Sequence, residues 1–299
     1  MKILVTGALG LLGTEVVTAV EARGLEVVGL AREDLDVTDA LAVDAMLAAE
    51  LPDWVIHCAA YTAVDLAEGE AELAMLVNRD GAGNVARAAA EVDARTVYIS
   101  TDYVFDGEKR EPYRPTDRTG PLSVYGRTKL AGEEAVLTVT AAGVGGFDSR
   151  SAVDPLIVRT GWLYGAGGRN FVSAILNRAE GGARLRVVED QRGRPTWARN
   201  LAGVVLDLVA EGKGGVWHVA DGGDATWLDF GREVLRCRGL AGAIDGVSTE
   251  AWGAVAPRPA YSVMDLTATE QALGRPMMQW QAALARFLDG DAGGVTPTV

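Results

Sequence analysis

Short runs of consecutive apolar residues alternate with longer stretches of helical period through the first half of the chain. Lys2–Thr6 (KILVT) is a short apolar run that leads into glycines and then into a helix-period stretch over 11–23. Residues 25–30 (LEVVGL) and 54–59 (WVIHCA) repeat the short-run pattern, the second of them after Pro52. An Ala-rich segment over 71–92 predicts a long helix, 96–100 (TVYIS) a strand, 122–142 a helix and 156–159 (LIVR) a strand. Strands that are apolar throughout and separated by helices belong to a parallel sheet covered on both faces. The pattern therefore predicts a doubly wound α/β fold with a parallel sheet.

Beyond Gly165 the alternation weakens. Residues 170–179, 199–210, 227–238 and 279–288 read as helices, 184–188 as extended, and 215–219 (GVWHV) as a buried strand. We read a first domain over 1–165, with a return segment near 197–222 that brings GVWHV back to its sheet, and a smaller lobe over 166–299. The stretch 143–154 (GVGGFDSRSAVD) reads as a loop without chemistry, and the Gly- and Thr-rich tail over 290–299 is expected to fray. No internal repeat is visible.

Composition narrows the function. With 299 residues, 48% hydrophobic and 23% charged, the chain is of the globular class and long enough for a sizeable core. Its 28 basic against 41 acidic residues give a net charge of −13. So acidic a chain does not attract nucleic acid or anionic membrane in general, so any anionic ligand needs a local cluster of Arg, Lys or backbone N–H donors. Two cysteines make no disulfide framework, and Cys58 and Cys237 read as inert thiols. There is no signal-peptide pattern and no apolar stretch near the ~20 residues of a membrane helix, so a cytoplasmic location is expected.

Two motifs carry chemistry. Gly7-Ala8-Leu9-Gly10-Leu11-Leu12-Gly13 follows the first strand and opens the first helix. Glycines at this spacing suit a tight turn, a close approach of a pyrophosphate and tight helix–strand packing, and the helix N-terminus supplies N–H donors. This is the context of a dinucleotide site. Tyr125 and Lys129, four residues apart, fall on one face of a helix. A Lys ammonium beside a Tyr hydroxyl would lower its pKa from about 10 toward working pH and make it a proton donor to a carbonyl receiving hydride. Ser100-Thr101-Asp102 ends the preceding strand, where ligands sit in such sheets, and a hydroxyl there can hold the same carbonyl.

The segments GALGLLG, CAAYTAVDLAE, STDYVFDG and YGRTKLAGE resemble the extended short-chain dehydrogenases, and more narrowly the dTDP-4-dehydrorhamnose reductase family. RTGWLYG, RNFV, EDQRGRPT and RPAYSVMD agree, so the resemblance spans nearly the whole chain. It implies an NAD(P)-binding Rossmann domain followed by a substrate-binding lobe, with Thr101, Tyr125 and Lys129 as the catalytic set. It implies cofactor contacts from the glycine loop (Gly7, Leu9, Gly10, Leu11, Leu12, Gly13), Asp36, Val37, Ala59, Ala60, Tyr61 and Ser100, together with Tyr125 and Lys129. It places Thr62, Val64, Tyr103 and Trp162 beside the deoxysugar, with Asn170 and Arg258 as further substrate contacts. Leu11 and Leu66 depart from residues common among such relatives. Some relatives form homodimers around magnesium near the counterpart of Glu15, but no cluster here compels a metal.

The remaining candidates read more plainly. His57 and His218 lie in apolar strands and fit satisfied core positions. Trp162 follows a strand end, where a flat ring can cover a sugar or base. Arg159, Arg169, Arg192, Arg194 and Arg258 are candidates for a nucleotide diphosphate. Arg32, just after the second strand, suits the 2′-phosphate of NADPH, whereas the adjacent Glu33 and Asp34 suit NADH, so use of both with a lean to NADPH is expected. The implied reaction reduces the 4-keto group of a nucleotide-activated deoxysugar, with dTDP-4-dehydrorhamnose to dTDP-rhamnose as the default. A 4-keto-sugar reductase of an antibiotic pathway, such as dTDP-dihydrostreptose formation, is one alternative. A non-catalytic partner like the regulatory subunit of methionine adenosyltransferase is the other, and intact Thr101, Tyr125 and Lys129 argue against it.

Overall fold

The computed structural model describes residues 1–141, 154–182, 184–240 and 243–290. Most of the 143–154 loop and all but the first residue of the 290–299 tail lie outside them. Six parallel strands form the main sheet: β1 (Lys2–Thr6), β2 (Glu26–Leu30), β3 (Trp54–His57), β4 (Arg95–Thr101), β5 (Leu156–Thr160) and, from much later in the chain, the edge strand Gly215–His218. From one edge to the other they lie in the order β2, β1, β3, β4, β5 and then the late strand. The chain leaves β1 for β2 on one side and crosses to β3 on the other, so a crevice opens beyond the C-terminal ends of β1 and β3.

Helices α1 (Leu11–Ala22), α2 (Ala40–Glu50), α3 (Val64–Ala67), α4 (Ala71–Met75), α5 (Ala82–Glu91) and α6 (Val124–Ala141) connect these strands. The predicted 71–92 helix is real but not uniform: between α4 and α5 it widens into a π-helical turn over Leu76–Gly81. Helix α2 is apolar on nearly every side and so shows no helical period, and Asp39 starts it by accepting from Leu41 N and Ala42 N. The core strands bury nearly every side chain, which is why they read as unbroken apolar runs.

The rest of the chain builds a second layer of packing. Its elements are β6 (Leu163–Tyr164), α7 (Phe171–Glu180), β7 (Leu185–Val188), β8 (Arg192–Gly193), β9 (Thr196–Trp197), α8 (Ala198–Ala210), then β10, which is the late edge strand. After it come β11 (Ala225–Thr226), α9 (Trp227–Cys237), β12 (Ile244–Val247), α10 (Thr249–Trp252), α11 (Thr267–Leu273) and α12 (Trp280–Leu288). Tyr164, Ile175, Leu185, Trp197, Phe230 and Trp280 share an apolar cluster separate from the one under the main sheet. Helix α8 packs on α1 and belongs to the main-sheet cluster. Among the described residues no helix is long and apolar enough to cross a membrane.

Both histidines are core residues, each pushed down to about 3 by burial, with Lys129 adding to the effect on His57 and Arg159 to that on His218. His57 Nδ1 shares a 2.7 Å hydrogen bond with Thr6 Oγ1, but its Nε2 is buried without a partner, so it is only half satisfied. A folded state that refuses these protons loses stability as pH falls below the ordinary histidine value of about 6.5 toward 3, because only the unfolded chain takes them up. Replacing His218→Phe should flatten that acid decline of the thermal midpoint, measured by calorimetry from pH 7 downward. An unchanged slope would assign the decline to other groups.

Candidate active site

The glycine loop begins at Gly7, whose φ of +67° is one that side chains rarely adopt. A Cβ there would lie 2.7 Å from the backbone N of Ala59, so the loop and the end of β3 touch backbone to backbone. A Cβ on Gly13 would strike the Gly7 carbonyl at 2.1 Å, which fixes the helix against the turn. Gly10 precedes α1, and no side chain caps the helix. The first-turn N–H groups are therefore available to an anion, which fits a dinucleotide pyrophosphate. Leu9 stands exposed on the loop, Leu12 is buried beneath it, and Leu11 lies against Gly165 and Gly167.

After β2, Arg32 is exposed, whereas Asp34 accepts from Ala31 N at 2.9 Å and so serves the turn. Of the two acidic neighbours only Glu33 keeps a carboxylate with no such bond. Asp36 is also committed, accepting from Thr38 N and Oγ1, which hold its carboxyl below the usual range. Val37 is buried, and its carbonyl accepts from Asn84. Ala59, Ala60 and Tyr61 leave the end of β3 half-buried.

Helix α6 carries Tyr125 and Lys129. It starts at Ser123, whose Oγ accepts from Gly126 N at 3.1 Å, and Glu68 accepts from Val124 N at 2.7 Å. Gly126 lets the helix press against the 3₁₀ turn Asp102–Val104, since a Cβ there would sit 2.3 Å from the Tyr103 carbonyl. That approach turns the Tyr125 hydroxyl toward Thr101 at the end of β4. Tyr103 and Tyr125 meet edge to face at 6.1 Å. Lys129 is buried, with its ammonium 4.0 Å from the centre of the Tyr98 ring.

The expected lowering of Tyr125 by Lys129 is not what this arrangement produces. Burial pushes Tyr125 up to about 12, with a smaller rise from Asp102 and an opposing pull from the Thr101 hydroxyl. Burial also brings Lys129 down to about 7, against the attraction of Glu133 and Cys58. Both groups have left water, and desolvation disfavours the charged form of each more than they help one another. Tyr125 is thus firmly protonated, as a donor must be before transfer.

Several residues serve the site without having been expected. Asn78, on the π turn, is fully buried; it accepts from Tyr61 N and donates to the Tyr61 carbonyl and to Thr128 Oγ1. It thereby ties the end of β3 to α6. Ser100 donates to Glu133, one turn past Lys129, and Glu133 also grips Arg159 at 2.7 and 2.9 Å. Arg159 is therefore a buried partner of Glu133 and not a diphosphate ligand, as the sequence suggested. Arg258 pairs with Asp65 on α3 through two 2.9 Å bonds and lies beside Tyr103. Arg192 pairs with Asp224, Arg194 donates to the Met264 and Gly223 carbonyls, and Arg169 is exposed.

Trp162 holds a left-handed φ of +53° just past β5 and stacks on Trp227 at 3.5 Å and 3°. Gly193 leaves room for its ring, so one face is already covered by protein. Asn170 caps α7, accepting from Ser173 N and donating to the Gly165 carbonyl. Its amide therefore serves the lobe itself. Burial pushes the Cys58 thiol up to about 12, so it is inert.

The site thus gathers a glycine turn, a facing Tyr–Thr pair and a buried Lys at the C-terminal end of the central strands of a parallel sheet. The chain matches the family described as RmlD substrate binding domain over residues 1–292. It is 41% identical to a dTDP-4-dehydrorhamnose reductase of Streptomyces griseus, covering 98% of this chain and 96% of that one. It is 38% identical to a dTDP-4-keto-6-deoxy-D-glucose reductase of Streptomyces niveus, covering 95% of both. A crystal structure of dTDP-4-dehydrorhamnose reductase from Bacillus anthracis in complex with NADP is 34% identical and superposes with a TM-score of 0.89, covering 96% of this chain and 98% of that one. The chain belongs to the dTDP-4-dehydrorhamnose reductase family. Members of that family are oxidoreductases, and its Rossmann architecture is the one described above.

The close approach of α6 to β4 gives a test of this geometry. Gly126→Ala should lower stability by roughly 1–3 kcal/mol in urea titration, because backbone must yield at 2.3 Å. Gly83→Ala in α5, whose added Cβ meets only Ala135 at 3.6 Å, should be neutral or stabilising by about 0.5–1 kcal/mol. Equal effects at the two positions would contradict the packing described.

Proposed function

We propose that the protein reduces the 4-keto group of a dTDP-activated 6-deoxysugar with NADPH or NADH, and that dTDP-4-dehydrorhamnose is its substrate. The observation that carries the reading is the protonated Tyr125 facing Thr101, on the helix that also carries the buried Lys129, at the sheet end that also holds the glycine loop. When bound, the nicotinamide supplies hydride to the sugar carbonyl carbon. Tyr125 hands its proton to the carbonyl oxygen as negative charge develops there. Lys129, poised near 7 by burial, offers a charge that steadies the phenolate left behind and a donor for the ribose. The uncapped first-turn N–H groups of α1 would hold the diphosphate of the cofactor, which would compensate locally for the net charge of −13.

The decisive measurement is NAD(P)H consumption on a panel of 4-keto-deoxysugar nucleotides, with product stereochemistry determined. Tyr125→Phe should fold and bind cofactor yet lose at least roughly two orders of magnitude in kcat, the scale of a missing general acid. Near-normal turnover would remove Tyr125 from the mechanism. For the cofactor, exposed Arg32 supports NADPH, and the commitment of Asp34 to the turn strengthens the lean. Arg32→Ala should cost NADPH about 1.5–3 kcal/mol in kcat/KM and leave NADH nearly untouched. Equal losses for both cofactors, or none, would show that Arg32 does not read the phosphate.

A further inference from the structure

Thr101 has more neighbours than one hydroxyl can serve as a donor. Its Oγ1 lies 3.1 Å from Asp102 Oδ1 and 3.2 Å from Tyr103 N, and the Tyr125 hydroxyl faces it from α6. A threonine hydroxyl has one proton and two lone pairs. The Tyr103 N–H can only donate to it, and an ionised carboxylate can only accept from it. With Asp102 ionised, the Thr101 proton is drawn to Asp102, and Tyr125 meets a lone pair. Thr101 then accepts and cannot also hold a substrate carbonyl by donating.

Asp102 is built into this place with care for its other oxygen. It is fully buried at the end of β4, and Ser262 from the RPAYS segment donates to Oδ2 at 2.5 Å. The carboxyl fills the space over Gly161, where a Cβ would lie 2.5 Å from its carbon. Tyr103 on its own turn and Tyr125 on α6 also face it, with Arg258 beyond Tyr103.

We propose that Asp102 is a positioning residue that decides where Thr101 aims its single proton. As a carboxylate it holds that proton away from the reacting oxygen. As a carboxylic acid it donates through Oδ1 to Thr101, while Ser262 keeps donating to Oδ2. Thr101 then accepts from Asp102 and Tyr103, and its own proton is released toward Tyr125 and the substrate. Every donor and lone pair of the hydroxyl is used in that state, and the released proton stabilises the Tyr125 phenolate as it forms. Burial pushes the Asp102 carboxyl up to about 6 against the pull of Ser262 and Thr101, so both forms are within reach near neutral pH.

The inference rests on the reductase reading, and the pH profile of kcat with saturating keto-sugar and NADPH separates the two. In the parent, kcat should rise roughly tenfold as pH falls through about 6, the scale of one hydrogen bond to a charged group. Asp102→Asn, neutral throughout, should lose that inflection. Ser262→Ala removes a donor that favours the carboxylate and should move the inflection to higher pH, which keeps the test alive if Asp102→Asn does not fold. Thr101→Val should retain weak turnover without the inflection. Its persistence in Thr101→Val would mean Asp102 acts on Tyr125 directly, and a flat parent profile or an unmoved inflection in Ser262→Ala would equally overturn the proposal. A parent that turns over no keto-sugar sinks the reductase reading and this inference with it.

Discussion

Helix α6 reaches the end of β4 only where it carries no side chain. At Gly126 the helix meets the Tyr103 carbonyl, and at Gly132 a Cβ would strike the Tyr98 hydroxyl at 2.1 Å and the Asn78 carbonyl at 2.2 Å. Two glycines in a helix interior cost conformational entropy that alanines would not. What they secure is contact distance, because one added methyl at either place would lift Tyr125 and Lys129 off the strand. Buried polar groups then lock the approach: Ser100 and Arg159 on Glu133, and Asn78 on Thr128. The site is thus held by backbone proximity first and by hydrogen bonds second, an order suited to groups that must stay aligned within a fraction of an ångström.

Burial sets the chemistry in that frame. Tyr125, Lys129, Asp102 and His57 each shift toward the neutral form, and in every case loss of water is the largest cause. Paired groups in such a place act by hydrogen-bond direction as much as by charge. Residue type alone therefore misjudges them: a Lys four residues from a Tyr looks like an activator, yet the buried surroundings outweigh it.

Much of the fold is legible in the sequence, because a parallel sheet covered on both faces writes its strands as unbroken apolar runs. The glycine loop, Thr101, Tyr125 and Lys129 are legible too, since each lies in a short contiguous motif. Helix α2 escapes because its apolar residues circle the whole helix, and only the Asp39 cap announces it. The π turn escapes because one inserted residue leaves no mark on composition. The pairs Arg159–Glu133, Arg258–Asp65 and Asp102–Ser262 escape for a different reason. Their members are far apart in the chain, and a lone charged or hydroxyl residue carries no sign of its partner. Asn170 shows the converse, since a residue in a recognisable motif proves to be a helix cap.

The Trp162–Trp227 stack also gives the protein an optical identity. Two indoles lying parallel at 3.5 Å are close enough for their transition dipoles to couple, so the pair absorbs and emits as a unit. Trp162 follows directly on β5 of the main sheet and, like Trp227 at the start of α9, packs against the second apolar cluster. Their coupling therefore reports how the chain leaving β5 is seated on that cluster. A tilt of a few degrees or a slip of an ångström would alter the near-ultraviolet dichroism, and no label need be attached to see it.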